Sequence, residues 1–322
     1  MQQTPLYNSY GRWLQQRFGE RVHKISVHAG FTCPNRDGTM TTGGCTYCNI
    51  ASFTPETTRP RHSIREQVVR GIEFVRSRYG VKKFIAYFQP YTNTYAEVAD
   101  LERMYREALD HPEVIGLAVG TRPDCVNEEI LQMLSRIARD YFVSLEYGIE
   151  SIYDETLRLV NRGHDFACTV EAFQRSRNRG LHLGGHVIIG FPNETEEQWL
   201  AMPEVINRLG LDAIKIHHLH IVRGTALARQ FAEQPFYVFD FPRWVDLVIK
   251  FIERLGPSII IERLYGEAPH DLLIAPHWNL SKAEILHAID QEMRQRNTFQ
   301  GRFAERASIP THAVVHQQSS AR

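Results

Sequence analysis

The sequence predicts an α/β fold built on a parallel sheet, and three observations point to it. Short apolar runs alternate with amphipathic helical stretches six times, and a further apolar run follows. Composition shows no break that would mark an independent domain before about residue 235. A loop rich in cysteine and glycine leaves the carboxyl end of the first strand, which is where α/β folds place their sites. This period by itself fits an open partial barrel, a closed eight-unit barrel and a doubly wound sheet alike, all with right-handed crossovers.

The elements follow in order. Residues 1–24 form an aromatic and basic lead-in, where Trp13, Arg17 and Phe18 fit one short helix packed beside the first strand; a partner surface is the competing reading. Residues 25–31 read as that strand, and 54–61 as a linker. Ser63 and Glu66 form a capping box for a helix whose apolar positions are Ile64, Val68, Val69, Ile72 and Val75, ending near Gly80. Residues 83–88 read as the second strand and 114–119 as the third, with a helix over 96–109 between them. Asn127 caps the next helix, 141–147 is the fourth strand, and short helices follow over 154–159 and 169–178. Residues 183–189 make the fifth strand. Thr195 and Gln198 form a second capping box for a helix to Leu209, before the sixth strand over 213–218. A helix over 242–255 and a candidate seventh strand over 258–261 come next. Ser281 and Glu284 cap a helix through Met293 that would pack on the open end or the bottom of a barrel, and 308–322 reads as a frayed tail.

A chain of 322 residues suits one α/β barrel with additions, or two small domains. Lys+Arg and Asp+Glu are equal at 37, which argues against a general polyanion binder but not against a local basic groove. No run of eighteen apolar residues and no signal-type N-terminus is present, so no membrane attachment is expected. Three of the five cysteines cluster, which suits a reducing, cytoplasmic setting better than a disulfide framework.

Those three are Cys33, Cys45 and Cys48, and the last two have the C-x-x-C spacing that turns two thiolates toward one centre. Soft sulfur ligands suit zinc, Cu(I) or iron–sulfur. Three thiolates are an incomplete tetrahedral set. A fourth zinc ligand could come from Cys125, Cys168 or His28, each of which reads more easily as ordinary packing. A cluster held by three cysteines would instead leave one iron open to a ligand that is not protein. Tyr47, inside the C-x-x-C, could cover a planar ligand.

The run from Cys33-Pro-Asn-Arg-Asp-Gly-Thr to Gly-Gly-Cys45-Thr-Tyr-Cys48 resembles the radical S-adenosylmethionine (SAM) superfamily, and within it the bacterial YhcC-like group related to the Elp3-like branch. The usual C-x3-C-x2-C signature is altered here, with eleven residues in the first gap. The resemblance covers about residues 20–260. It implies a partial (β/α)6 barrel with N- and C-terminal additions: an extension over 1–19, a core over 20–260, and a helical extension and tail over 261–322. It also implies a [4Fe–4S] cluster on Cys33, Cys45 and Cys48, with SAM as second cofactor and an external one-electron reductant such as flavodoxin or ferredoxin.

Further motifs stand at the strand exits. Glu150 ends the fourth strand and Arg162 follows twelve residues later; a carboxylate can accept both hydroxyls of a ribose, and an arginine can clamp a carboxylate. The run is similar to the coproporphyrinogen-oxidase-like and Elp3-like branches, which implies that Glu150 binds the SAM ribose and Arg162 its carboxylate. Gln89 is the nearest match for a group that binds the SAM amino nitrogen, although no G-G-E motif is present. Gly190, in Gly190-Phe-Pro-Asn-Glu-Thr195, would let the backbone approach the adenosine. Asn93 is an amide at the rim, with a turn-forming polar cluster as the competing reading, and a structural Arg122–Asp124 pair stands level with a substrate contact. His217 and His218 must point to opposite faces of a strand, which disfavours a second metal site; His186 would meet a substrate if it points inward.

The family chemistry implied is reductive cleavage of SAM to a 5′-deoxyadenosyl radical that takes hydrogen from a substrate. The Elp3-like flavour suggests tRNA, at a wobble uridine, with Arg59, Arg61, Arg65 and Arg70, Arg76, Arg78, Lys82 and Lys83, and Arg175, Arg177 and Arg179 as candidate phosphate contacts. A small metabolite or a protein is the alternative substrate. From another class, a non-enzymatic zinc- or cluster-binding, RNA-interacting protein is the rival; the Glu150–Arg162 pair argues against it.

Overall fold

The computed structural model describes residues 5–52 and 62–304. The expected linker over 54–61 and tail over 308–322 lie outside the described residues. The elements in chain order are α1 (Tyr10–Phe18), β1 (Val22–Val27), α2 (Ile64–Tyr79), β2 (Lys83–Phe88), α3 (Val98–Leu109), β3 (Val114–Thr121), α4 (Glu128–Ile137), β4 (Phe142–Glu150), α5 (Asp154–Leu159) and α6 (Phe166–Ser176). There follow β5 (His182–Ile189), α7 (Glu196–Leu209), β6 (Ala213–His218), β7 (Ile221–Val222), α8 (Ala226–Glu233), α9 (Phe241–Arg254), β8 (Ile260–Arg263), β9 (Leu273–Ala275) and α10 (Lys282–Gln295).

Seven strands form one parallel sheet in the order β1-β2-β3-β4-β5-β6-β8, and β7 pairs with β9 in a separate antiparallel ribbon. Adjacent strands lie about 4.8 Å apart, so a flat sheet would hold β1 and β8 roughly 29 Å apart. Instead Lys24 of β1 reaches Glu262 of β8 at 2.7 Å and Glu146 of β4 at 2.6 Å. The sheet therefore curls around an enclosed lumen and stays open between β1 and β8: a partial barrel. It has one strand beyond the six-unit core, at the place where the seventh was expected.

The main core lies between the outer sheet face and the helices. Ile25 and Val27 meet Val68 and Ile72 there, and Trp244, Val248 and Phe251 of α9 are fully buried beside β6 and β8. A second core fills the amino-terminal end of the lumen, where Leu14 of α1 meets Val22, Ile85, Ala118 and Phe142. Trp13 and Phe18 both stack against Phe142, with ring centroids 5.8 and 5.7 Å away. So α1 plugs the bottom of the barrel. Asn8 and Ser9 then pair with Ile261, covering the free edge of β8. The helix α10 buries Ile285, Ile289 and Met293 and packs against α9.

Some elements differ from the sequence reading. The first strand runs over Val22–Val27, three residues earlier than expected, and stops before His28. The His28 N–H and carbonyl are both taken by the Gln67 side chain, at 2.8 and 2.9 Å, and Gly30 adopts φ +79°. Local side-chain pairing thus replaces the ladder. α6 starts at Phe166 because the Asp165 carboxylate accepts the Cys168 N–H at 2.8 Å. The helix α8, capped by Thr225, was not anticipated. Among the described residues no helix is long and apolar enough to cross a membrane.

Candidate active site

The cysteine loop leaves β1 and folds onto itself. The Cys33 carbonyl accepts the Arg36 N–H at 2.7 Å, the Pro34 carbonyl accepts that of Met40 at 3.0 Å, and the Asn35 carbonyl accepts that of Gly44 at 2.8 Å. Gly44 has φ +81°, and a Cβ there would lie 2.9 Å from the Arg36 guanidinium. Arg36 in turn donates to the Cys48 carbonyl at 2.7 Å. The long first gap is therefore an ordered structure with its own hydrogen bonds.

Cys33, Cys45 and Cys48 all line one cavity of about 270 Å³ at the carboxyl end of the strands. Cys125, Cys168 and His28 are absent from its wall. Burial and the neighbouring Cys45 push the Cys48 thiol up to about 11. A single zinc would draw sulfurs to about 2.3 Å from one point. Among the described residues, no three Cys, His, Asp or Glu side chains converge in that way. Three thiols that share a wall without meeting suit a group with several metal atoms better than one ion.

Glu150 and Arg162 face the same cavity. Glu150 is the last residue of β4 and sits in the left-handed region at φ +64°, beside an irregularity in the β4–β5 register between Gly148 and Glu150. That irregularity aims its carboxylate inward. Arg162 Nη2 lies 3.6 Å from Glu150 Oε1 and donates to the Gly148 carbonyl at 2.7 Å, and Nη1 approaches Cys45 Sγ at 3.8 Å. Its Nε is buried without a partner. Burial acts against the Arg162 charge, but Tyr47, Glu150 and Cys45 outweigh it and hold the guanidinium firmly protonated. The three cysteines, the Arg162 guanidinium and the Glu150 carboxylate thus line one cavity, a donor set that fits both an iron–sulfur group and the carboxylate and ribose of SAM.

Tyr47 and Gln89 also line the cavity. Gly190 does not; it has φ +108°, and a Cβ there would lie 2.9 Å from the Phe239 ring. Its missing side chain makes room for Phe239. Asn93 is fully buried and donates to the Gly120 carbonyl at 2.8 Å, so it holds the turn to β3. Arg122 and Asp124 form a two-pronged pair at 2.9 and 2.7 Å, while Arg122 Nη1 stays buried without a partner. His217, His218 and His220 all contribute to the cavity wall; His218 also stacks on Trp278 with ring centroids 4.0 Å apart and meets His220 at 2.8 Å.

The cavity floor holds Glu146 and Lys215, to which the sequence reading gave no role, beside His186, which it placed near a substrate if inward. Glu146 is wholly buried and accepts from Lys24 at 2.6 Å, Lys215 at 2.5 Å and His186 at 3.1 Å. Lys215 also donates to the Tyr87 hydroxyl at 2.9 Å. Burial alone would raise the Glu146 carboxyl, but Lys215 and Lys24 reverse this and hold it well below 4.5. Burial keeps His186 and His217 below the usual imidazole value. With its Nε2–H given to Glu146, neutral His186 leaves Nδ1 as an acceptor. The signal available in the sequence was a charged residue inside each of four strands, Lys24 in β1, Glu146 in β4, Lys215 in β6 and Glu262 in β8.

Residues 33–206 match the Radical SAM superfamily and residues 211–295 the Radical_SAM C-terminal domain. The chain is 40% identical over 279 residues to Protein YhcC of Escherichia coli, covering 86% of this chain and 89% of that protein. It is 28% identical over 165 residues to a tRNA uridine(34) acetyltransferase of Methanocaldococcus infernus, covering 50% of this chain and 30% of that one. In fold it is similar to the archaeal Methanocaldococcus infernus Elp3, with a TM-score of 0.65 and 18% identity, over 87% of this chain and 64% of that one. With the three cysteines on one cavity at the mouth of a partial barrel, these matches identify the chain as a radical SAM enzyme, a member of the radical SAM superfamily.

Proposed function

We propose that the protein is a [4Fe–4S] radical SAM enzyme that acts on a wobble uridine of tRNA. The observation that carries the cofactor assignment is Arg162, a buried guanidinium beside Cys45 and Glu150 with an N–H left unfilled. A buried charged donor without a partner is costly, and a carboxylate ligand would complete its fork. Cys33, Cys45 and Cys48 would hold the cluster. Arg162 takes the SAM carboxylate, Glu150 the ribose hydroxyls and Gln89 the amino nitrogen, while Tyr47 covers the planar part. Gly190 makes room for Phe239 behind the cavity. When bound, the cluster and SAM supply a 5′-deoxyadenosyl radical that abstracts hydrogen from the substrate. The barrel walls exclude water and fix the substrate's orientation. An external one-electron reductant such as flavodoxin or ferredoxin feeds the site, in the cytoplasm.

The tRNA assignment is supported by the relative that bears a tRNA uridine(34) activity in its name and aligns with half of this chain. The expected basic tracks support it less. Arg76 pairs with Glu113, Lys83 with Glu20, Arg175 with Glu171 and Arg179 with Glu128. Recognition therefore falls to the cavity, whose floor offers neutral imidazoles to a base, rather than to a broad phosphate surface. Bulk tRNA from a strain lacking the protein, incubated with enzyme, SAM and reductant, is expected to show a SAM-dependent change at the wobble uridine by nucleoside mass spectrometry. Unchanged tRNA beside turnover of a metabolite or peptide extract would overturn the substrate assignment.

A further inference from the structure

We infer that Asn35 tunes the electron affinity of the iron–sulfur centre at Cys45 and, together with Asn161, locks the cysteine loop to the turn that carries Arg162; this rests on the cluster assignment above. Asn35 is wholly buried. Its amide N–H₂ faces three acceptors: the Asn161 carbonyl at 2.6 Å, the Arg162 carbonyl at 2.8 Å and Cys45 Sγ at 3.6 Å. The two carbonyls fix which way the amide points, because a flip would set its oxygen against both of them. Its own Oδ1 is buried without a partner, so the residue is held in place by its donors.

Asn161 answers from the other side. Its Nδ2 donates to Thr41 Oγ1 at 3.1 Å, to the Gly44 carbonyl at 2.9 Å and to the Thr42 carbonyl at 3.4 Å. It sits at φ +55°, in the left-handed region that asparagine tolerates better than most residues. The Thr46 N–H adds a bond to the Val160 carbonyl at 3.0 Å. Gly163 completes the fit: at φ +82°, a Cβ there would lie 2.6 Å from Asn35 Oδ1. Closing an eleven-residue gap has an entropic cost, which these contacts offset.

The consequence for the centre is electrostatic. The two amide hydrogens of Asn35 go first to the carbonyls, but the positive end of the amide lies 3.6 Å from Cys45 Sγ, and a positive dipole beside a ligating sulfur favours the more negative, reduced state and so raises the reduction potential. Arg162 also approaches Cys45 Sγ, at 3.8 Å, but it is bonded as well to the Gly148 carbonyl and lies beside Glu150. Asn35 is neutral and held by two carbonyls, so its contribution persists whether or not SAM is present. Asn161 makes no such bond to sulfur and acts through the loop alone.

The test compares full-length wild type, Asn35→Leu and Asn161→Gly after anaerobic reconstitution. Potentials are measured by EPR-monitored titration without SAM, and cluster retention by iron release to a chelator. N35L is expected to lower the potential, with about a tenfold shift in the reduced-to-oxidised ratio at fixed potential, or 59 mV for one electron. N161G, which keeps the backbone conformation accessible, is expected to release iron faster at an unchanged potential. An N35L potential equal to wild type, or an equal shift in N161G, would overturn the inference. If N35L takes up no iron, Asn35→Asp, which keeps the shape and removes the amide donors, is expected to shift the potential the same way. If both are folded by circular dichroism yet bind no iron, the assignment of the potential fails and only the lock survives. Wild-type protein that binds no iron removes the cluster assignment itself, before any variant is compared.

Discussion

Gly148 shows how little slack the site has. A Cβ at that position would lie 2.5 Å from Glu150 Oε1 and 2.6 Å from Arg162 Nη2. The pair is thus set by the absence of a side chain between strand and arginine. Arg162→Ala is expected to leave the iron content intact and to weaken SAM binding roughly ten- to a hundredfold, from loss of a charge-assisted bond of about 1.5–3 kcal/mol. Isothermal titration with SAM checks it, and an unchanged affinity would take Arg162 out of the site. The cysteines, Glu150 and Arg162 were legible because each stands in a local pattern. Asn35 lay within the same quoted motif, yet its partner carbonyl is 126 residues away in the chain, and no local pattern encodes that pairing.

At the scale of elements, α1 is the piece whose role depends most on the rest of the fold. Its sequence identified a short helix beside the first strand, but not that it plugs the lumen, because the plug is defined by four other strands meeting Leu14. Leu14→Ala is expected to cost about 2–5 kcal/mol of stability, as cavity-forming core changes do. A denaturant midpoint equal to wild type would mean that α1 is not packed in the barrel. The capping boxes at Ser63, Thr195 and Ser281 were legible and are all formed. The β7–β9 ribbon was not, since its pairing joins segments about fifty residues apart, and α8 was missed although its Thr225 cap is local.

At the scale of the molecule, the barrel lacks backbone pairing between β1 and β8, and buried charges bridge that gap. Lys24 and Lys215 meet Glu146 and Glu262, two of each sign. Removing one member leaves charges uncompensated, so Glu146→Gln is expected to destabilise the fold by about 3–5 kcal/mol. The sign with pH follows from linkage. Glu146 titrates lower in the folded than in the unfolded protein, so its contribution is complete above about pH 4.5 and is lost as pH falls below that value. Neutral His217, also held low, adds a loss that begins on acidification below about pH 6.5. Stability measured from pH 7 to 3 should fall less steeply below pH 4.5 in the Glu146→Gln variant. An identical slope would show that the quartet does not hold the barrel closed. The alternation of strands and helices was enough to read a parallel sheet, but openness is a property of the whole curl, and only the family resemblance pointed to it.

The central claim, that this barrel mouth generates a radical from SAM at the three clustered cysteines, has a direct test. Wild-type protein and the Cys33→Ala, Cys45→Ala and Cys48→Ala variants are reconstituted anaerobically, reduced with dithionite and given SAM, and 5′-deoxyadenosine is quantified. The expected result is product from wild type and at least a hundredfold less from each variant, with Cys45→Ala also failing to assemble a [4Fe–4S] spectrum. Product that survives loss of any one cysteine, or zinc in place of iron in protein kept anaerobic throughout, would contradict it.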